Sequence, residues 1–81
     1  MKKVEGLNIA MGQTLKELRV KKNMSQEKLA ELCDTSSVYI SEIERGIKNP
    51  TIQALMVISS AFNMKLSDLI RMLESEVLPI C

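Results

Sequence analysis

Between Ser25 and Gly46 the sequence SQEKLAELCDTSSVYISEIERG holds two helical patterns almost end to end, with only a few polar residues between them. Leu29, Ala30, Leu32 and Cys33 give the first pattern an apolar stripe within barely two turns, and Ile40 and Ile43 give the second an inward side. Ser25 and Ser36 stand where N-caps belong, and Gly46 is placed to close the second helix. Helices this short do not stand alone in water. A connector this short cannot fold them back antiparallel, so it sets them at a steep angle, roughly 90–120°, with Ala30 as the small residue at the crossing. One helix is then left partly uncovered. What its uncovered face meets is the functional question.

The rest of the chain repeats the same grammar. Met11, Leu15 and Leu18 recur at helical spacing between Asn8 and Lys22, and Asn23 follows a basic last turn as a left-handed stop. Pro50 interrupts any helix through IKNPT, and Thr51 caps a fourth helix that buries Leu55, Ile58 and Phe62. Asn63 ends it. Ser67 is expected to start a fifth helix, carrying Leu69, Ile70, Leu73 and Val77 and stopped by Pro79. The expectation is an all-α fold of five helices in a single domain over residues 1–81, with the helix-turn-helix unit at about 25–46.

Composition agrees and excludes several functions. Apolar residues make up 46% of the chain and aromatics 2%, so the core must come from aliphatic side chains and methionine, the usual filling between helices. Met11, Met56 and Met64 fall in or beside the core stripes. The run from Ile52 to Met64 is interrupted by Gln53, Ser59, Ser60 and Asn63, so no membrane span is expected, and MKKVEGLNIAMGQ lacks the apolar run of a secretory signal. A cytoplasmic protein is expected. With no histidine, and with Cys33 and Cys81 far apart, neither a metal site nor a disulfide framework is expected. There is no glycine-rich phosphate loop, so the chain does not read as an enzyme, and no cofactor or small-molecule ligand is anticipated.

Winding the second helix of the opening stretch at about 100° per residue puts Ile40 and Ile43 inward, Glu44 near the buried edge, and Val38, Ser41, Glu42 and Arg45 outward. The outer side chains are mostly short, which lets a helix backbone sink into a DNA major groove. Ser36 and Ser37 in its first turn can reach bases or phosphates.

From about Gln13 to Leu69 the chain resembles the Cro and lambda-repressor type, or Xre-type, helix-turn-helix family, through LKELR, MSQEKLAELC, YISEIERG and NPTIQAL. Within it the chain is most similar to the small controller proteins of restriction-modification systems. The resemblance implies that Ser36, Ser37, Val38, Ser41 and Glu42 face DNA bases, and that Gln26, Arg45, Lys48, Asn49 and Thr51 meet phosphates. It also implies an ion pair between Arg19 and Glu44. Two positions depart from the family pattern: Asp34 stands where glycine is usual in the turn, and Thr35 where an aliphatic residue usually packs. Aspartate tolerates left-handed angles at some cost, so the turn is expected to hold, with a small change in the angle of the reading helix.

Net charge is only +1, although residues 1–24 carry six basic and two acidic side chains while residues 25–50 carry three and five. Affinity for DNA is therefore expected to be modest and salt-sensitive. Val38 reads either as a lone exposed aliphatic or as a contact for a thymine methyl; Glu42 reads either as a solvated charge or as an acceptor for a cytosine amino group. The segment LIRMLESEVLPI shows more apolar surface than a closing helix needs. A two-fold contact through Leu69, Met72, Leu73, Val77, Leu78 and Ile80, on a helix of about 67–78, is the expected use. The functional expectation is a homodimeric, sequence-specific DNA-binding transcription regulator on a short palindromic operator. Alternatives are the antitoxin of a toxin–antitoxin pair and a protein-interaction module without a DNA function.

Overall fold

Four of the five helices end in the same way, and those endings set the architecture. The computed structural model describes Lys2 and residues 4–77, without the side chain of Val77. Its elements are α1 (Leu7–Lys21), α2 (Gln26–Leu32), α3 (Ser37–Glu44), α4 (Ile52–Ala61) and α5 (Leu66–Val77). Asn23, Asp34, Gly46 and Asn63, each just past a helix, have φ of 58°, 53°, 75° and 57°. At each, the next residue donates its N–H back into the helix: Met24 to Arg19 O, Thr35 to Ala30 O, Ile47 to Glu42 O and Met64 to Ser59 O. This left-handed closure satisfies carbonyls that a helix end otherwise leaves unpaired. Asp34 takes a left-handed angle, so the turn expected to hold does form.

Three helix starts are equally local. The hydroxyls of Ser25, Ser36 and Thr51 accept the backbone N–H of Lys28, Tyr39 and Ala54 at 2.9, 3.1 and 3.0 Å. The fifth start differs from expectation: α5 begins at Leu66, with the carbonyl of Lys65 accepting from Asp68 and Leu69, and Ser67 sits exposed within its first turn. Pro79 and the segment beyond Val77 lie outside the described residues.

The core joins Met11, Leu15 and Leu18 of α1 to Leu29 and Ala30 of α2, Ile40 and Ile43 of α3, Leu55 and Ile58 of α4, Phe62, and Leu69 and Leu73 of α5. α1 packs on α3 and α5, α2 on α3 and α4, and α4 on α5, so α3 is held from two sides and open on the third. Two stripe assignments fail: Leu32 and Met56 are exposed, because no described element covers those sides of α2 and α4. Among the described residues no helix is long and apolar enough to cross a membrane.

Candidate nucleic-acid interface

α3 is fixed at its C-terminal end by two contacts of different kinds. Gly12 of α1 sits so close that a Cβ built on it would lie 2.5 Å from the carbonyl oxygens of both Ile43 and Glu44. The two backbones therefore touch, and only glycine fits at this position on α1 without movement. The second contact is polar. Arg19 Nε donates to Glu44 Oε2 at 2.6 Å and its Nη2 to Oε1 at 3.1 Å, while Nη1 donates to the carbonyl of Met24 at 2.7 Å. Both side chains of this pair are buried. Hydrogen bonding to Glu44 holds the Arg19 guanidinium above its ordinary range, against the opposing effect of burial. The fork geometry satisfies both carboxylate oxygens. The ion pair implied by the family resemblance is thus formed.

Gln26, the first residue of α2, adds a third donor: its Nε2 reaches Glu44 Oε1 at 3.1 Å. One carboxylate at the end of α3 therefore gathers side chains from α1 and α2. Gln26 is half-buried, so its amide is partly committed to the protein rather than wholly free at the surface.

With its inner side so held, α3 presents Ser37, Val38, Ser41, Glu42 and Arg45 away from the core. Val38 is 64% exposed, Arg45 is exposed, and Ser37, Ser41 and Glu42 are half-buried. Arg45 lies back along the helix, with Nε donating to the carbonyl of Ser41 at 3.4 Å. Ser36 is exposed and its oxygen is occupied as a cap acceptor, which leaves the hydroxyl proton to donate outward. Thr51 is in the same position at the start of α4. Between them, Lys48 and Asn49 are exposed on a loop whose start is tied to α3 by Ile47 N and Lys48 N donating to Glu42 O.

The surroundings extend this surface. Lys2 and Asn8, from the start of the chain and of α1, line one concavity with Gly46 and Asn49. Thr35 and Tyr39 line another with Thr51 and Gln53. Cations are sparse beside α3, where Glu42 offsets Arg45 and Arg19 is spent on Glu44. Lys28 of α2 stands 3.5 Å from Glu31. Leu69 and Leu73, expected in a two-fold contact, are buried in the chain's own core, so they are not available to a second copy. Met72 is exposed on α5; Leu78 and Ile80, and the side chain of Val77, fall outside the described residues. Gly12 and the Gln26–Glu44 bond were not legible in the sequence. A glycine inside an amphipathic helix, next to a basic stripe, was the available signal for the first.

Comparison with known proteins bears on this arrangement. The family pattern described as helix-turn-helix matches residues 15–69. The control protein C.BamHI of Bacillus amyloliquefaciens is 42% identical over 65 residues, which cover 79% of this chain and 80% of that protein. C.MunI, a control protein of a Mycoplasma species, is 37% identical over 71 residues, covering 86% and 96%. Among solved structures, the restriction-modification controller protein C.Esp1396I, captured as a tetramer with its natural 35 base-pair operator, superposes with a TM-score of 0.80 at 33% identity, covering 89% of this chain and 95% of that one.

Proposed function

This chain belongs to the helix-turn-helix family of DNA-binding transcriptional regulators, and we propose that it acts as a restriction-modification control protein, binding a short two-part operator as a homodimer. In this reading Ser36, Ser37, Val38, Ser41 and Glu42 of α3 and its cap face the base edges in the major groove, where each base pair presents a distinct donor and acceptor pattern. Gln26, Arg45, Lys48, Asn49 and Thr51 hold backbone phosphates on either side and set the register. Lys2, beside Asn49, adds a charge to the same rim.

The build of α3 supports this most. It is a helix of eight residues whose last residue is clamped by an ion pair and a backbone contact, while its outward positions are mostly short and open. A rigidly placed helix with a low outer profile suits groove entry, because long side chains would hold the backbone away from the bases. Two copies are required to place two such helices about one DNA turn apart, roughly 34 Å. The antitoxin alternative is not favoured, since C.BamHI, C.MunI and C.SmaI among the relatives are control proteins.

Selection of bound duplexes from a random pool, followed by sequencing, tests the reading. A two-part symmetric motif is the expected outcome; no enrichment of any sequence at low salt would overturn it.

A further inference from the structure

One side of α1 runs along the C-terminal end of α3 and touches it twice. Gly12 meets the carbonyls of Ile43 and Glu44, and one turn earlier Ile9 meets Gly46: a Cβ built on Gly46 would lie 3.2 Å from Ile9 Cγ1, 3.3 Å from its Cα and 3.4 Å from its backbone nitrogen. Residues three apart on a helix share a face. The same face of α1 therefore seats the last turn of α3 and then the start of the loop that follows it. Ile9 is 59% exposed, as is common for a lone apolar side chain at a surface. Its contact with Gly46 is what sets it apart.

That loop carries Lys48 and Asn49, both exposed. On the α3 side its start is tied by backbone bonds, from Gly46 N to Ile43 O at 3.0 Å and from Ile47 N and Lys48 N to Glu42 O at 2.9 and 3.3 Å. Among the described residues no backbone hydrogen bond joins it to α1. Packing against the first turn of α1 bounds it there instead. That turn is shaped by Gly6, at φ of 74°, and by Leu7 N donating to Val4 O at 3.3 Å. Val4, Leu7 and Ile9 then line an open concavity together with Gly46 and Asn49.

We infer that Ile9 is a positioning residue for DNA binding: through Gly46 it sets the height of the 46–49 loop, and so the place from which Lys48 and Asn49 meet phosphate. The inference rests on the DNA-binding reading proposed above and on the phosphate role given there to this loop. Ile9 itself touches no nucleic acid. Two heavy atoms on its Cβ leave it few side-chain rotamers, so the Cγ1 that bears on Gly46 is held in place. A charge-assisted bond to phosphate forms at about 2.7–2.9 Å. A loop that sags by about 1 Å loses it.

Titration of the duplex selected from the random pool, at several salt concentrations, tests this with Ile9→Ala, Ile9→Val, Val20→Ala, Lys48→Ala and the double variant Ile9→Ala/Lys48→Ala. Val20, at the other end of α1, is 56% exposed and serves as the comparison for an apolar surface residue. Ile9 and Val20 are both exposed, so their variants are expected to keep the circular-dichroism spectrum and nearly the urea midpoint of the parent. Ile9→Ala is expected to weaken binding to every duplex by about ten-fold, and to lower the salt slope toward that of Lys48→Ala, which loses about one. The order of preference among bases should not change. Ile9→Val, which keeps a methyl group where Cγ1 stands, should restore the parent affinity, and Val20→Ala should match it. The loss in the double variant should fall well short of the sum of the two single losses, since residues that act through one another do not add. An unchanged salt slope in Ile9→Ala, or losses that add in full, would overturn the inference and leave the DNA reading standing. Failure to select any duplex at low salt would remove that reading itself.

Discussion

Gln26 and Glu44 lie eighteen residues apart and are hydrogen-bonded at 3.1 Å, which joins the first residue of α2 to the last residue of α3. The bond closes the helix-turn-helix unit into a ring, and Arg19 fastens that ring to α1 through the same carboxylate. Removing one member of the buried pair leaves the other charge without compensation, a loss of about 3–5 kcal/mol. A hydrogen bond from the half-buried Gln26 amide to that carboxylate contributes less, at the low end of about 1.5–3 kcal/mol. Arg19→Ala and Glu44→Gln are therefore each expected to lower stability in urea unfolding far more than Gln26→Ala. Gln26→Ala should instead show its main effect on DNA affinity. Equal stability losses in all three would mean that the ion pair contributes no more than the amide bond.

Gly12→Ala sets two effects against each other. Alanine is the better helix former by about 1 kcal/mol. Its methyl would, however, lie 2.5 Å from two backbone carbonyl oxygens of α3, which cannot rotate away as a side chain could. Overpacking of this kind costs about 1–3 kcal/mol. The expected outcome is a net loss of stability together with weaker operator binding, read by denaturant unfolding and by titration of the selected duplex.

Asp34→Gly should stabilise the chain. Asp34 holds φ of 53°, a region where a Cβ is strained and glycine is not. The gain is expected at about 0.5–1 kcal/mol, reduced by the greater freedom of glycine in the unfolded state. A shift of the urea midpoint upward at constant slope is the measurement. A downward shift would show that the aspartate side chain contributes more to the turn than its backbone angle costs.

The two sides of the proposed interface differ in what substitution does. Arg45→Ala is expected to weaken binding to every sequence and to lower the salt slope by about one. Val38→Ala is expected to lower preference at one thymine per half-site and to leave the salt slope unchanged. Uniform loss at every base in Val38→Ala would rule out a methyl contact.

Burial pushes the Cys33 thiol above its ordinary range. At pH 8 it should react with iodoacetamide more slowly than free cysteine, and at the free rate once the chain is unfolded, with Cys81→Ser in the background to isolate it. The sign for stability follows. Above the ordinary thiol pKa the unfolded chain has lost this proton while the folded chain keeps it, so this group makes stability fall as pH rises through the alkaline range.

What the sequence revealed is what neighbouring residues decide among themselves. Ser25, Ser36 and Thr51 bond to backbone three positions on, and Asn23, Gly46 and Asn63 close helices through bonds five residues long, so caps and stops were legible. Ser67 misled because a serine before an apolar run has the same signature whether or not its hydroxyl caps. Leu32 and Met56 misled for a different reason: periodicity assigns a residue to a side of a helix but cannot say whether another element covers that side. The same gap put Leu69 and Leu73 in a dimer contact when α1 and α4 already cover them. Gln26 with Glu44, and Gly12 with the end of α3, are encounters across long stretches of chain, and one of them involves no side chain at all.

That last contact has an evolutionary consequence. Because backbone meets backbone at Gly12, the seat of α3 does not depend on the size or shape of the residues on its outer side. Under the base-reading role proposed for them, positions 37, 38, 41 and 42 can drift, and with them the DNA word that is read, while the helix keeps its height and tilt. A lineage acquiring a new operator therefore needs to rewrite only a few letters on a fixed type bar.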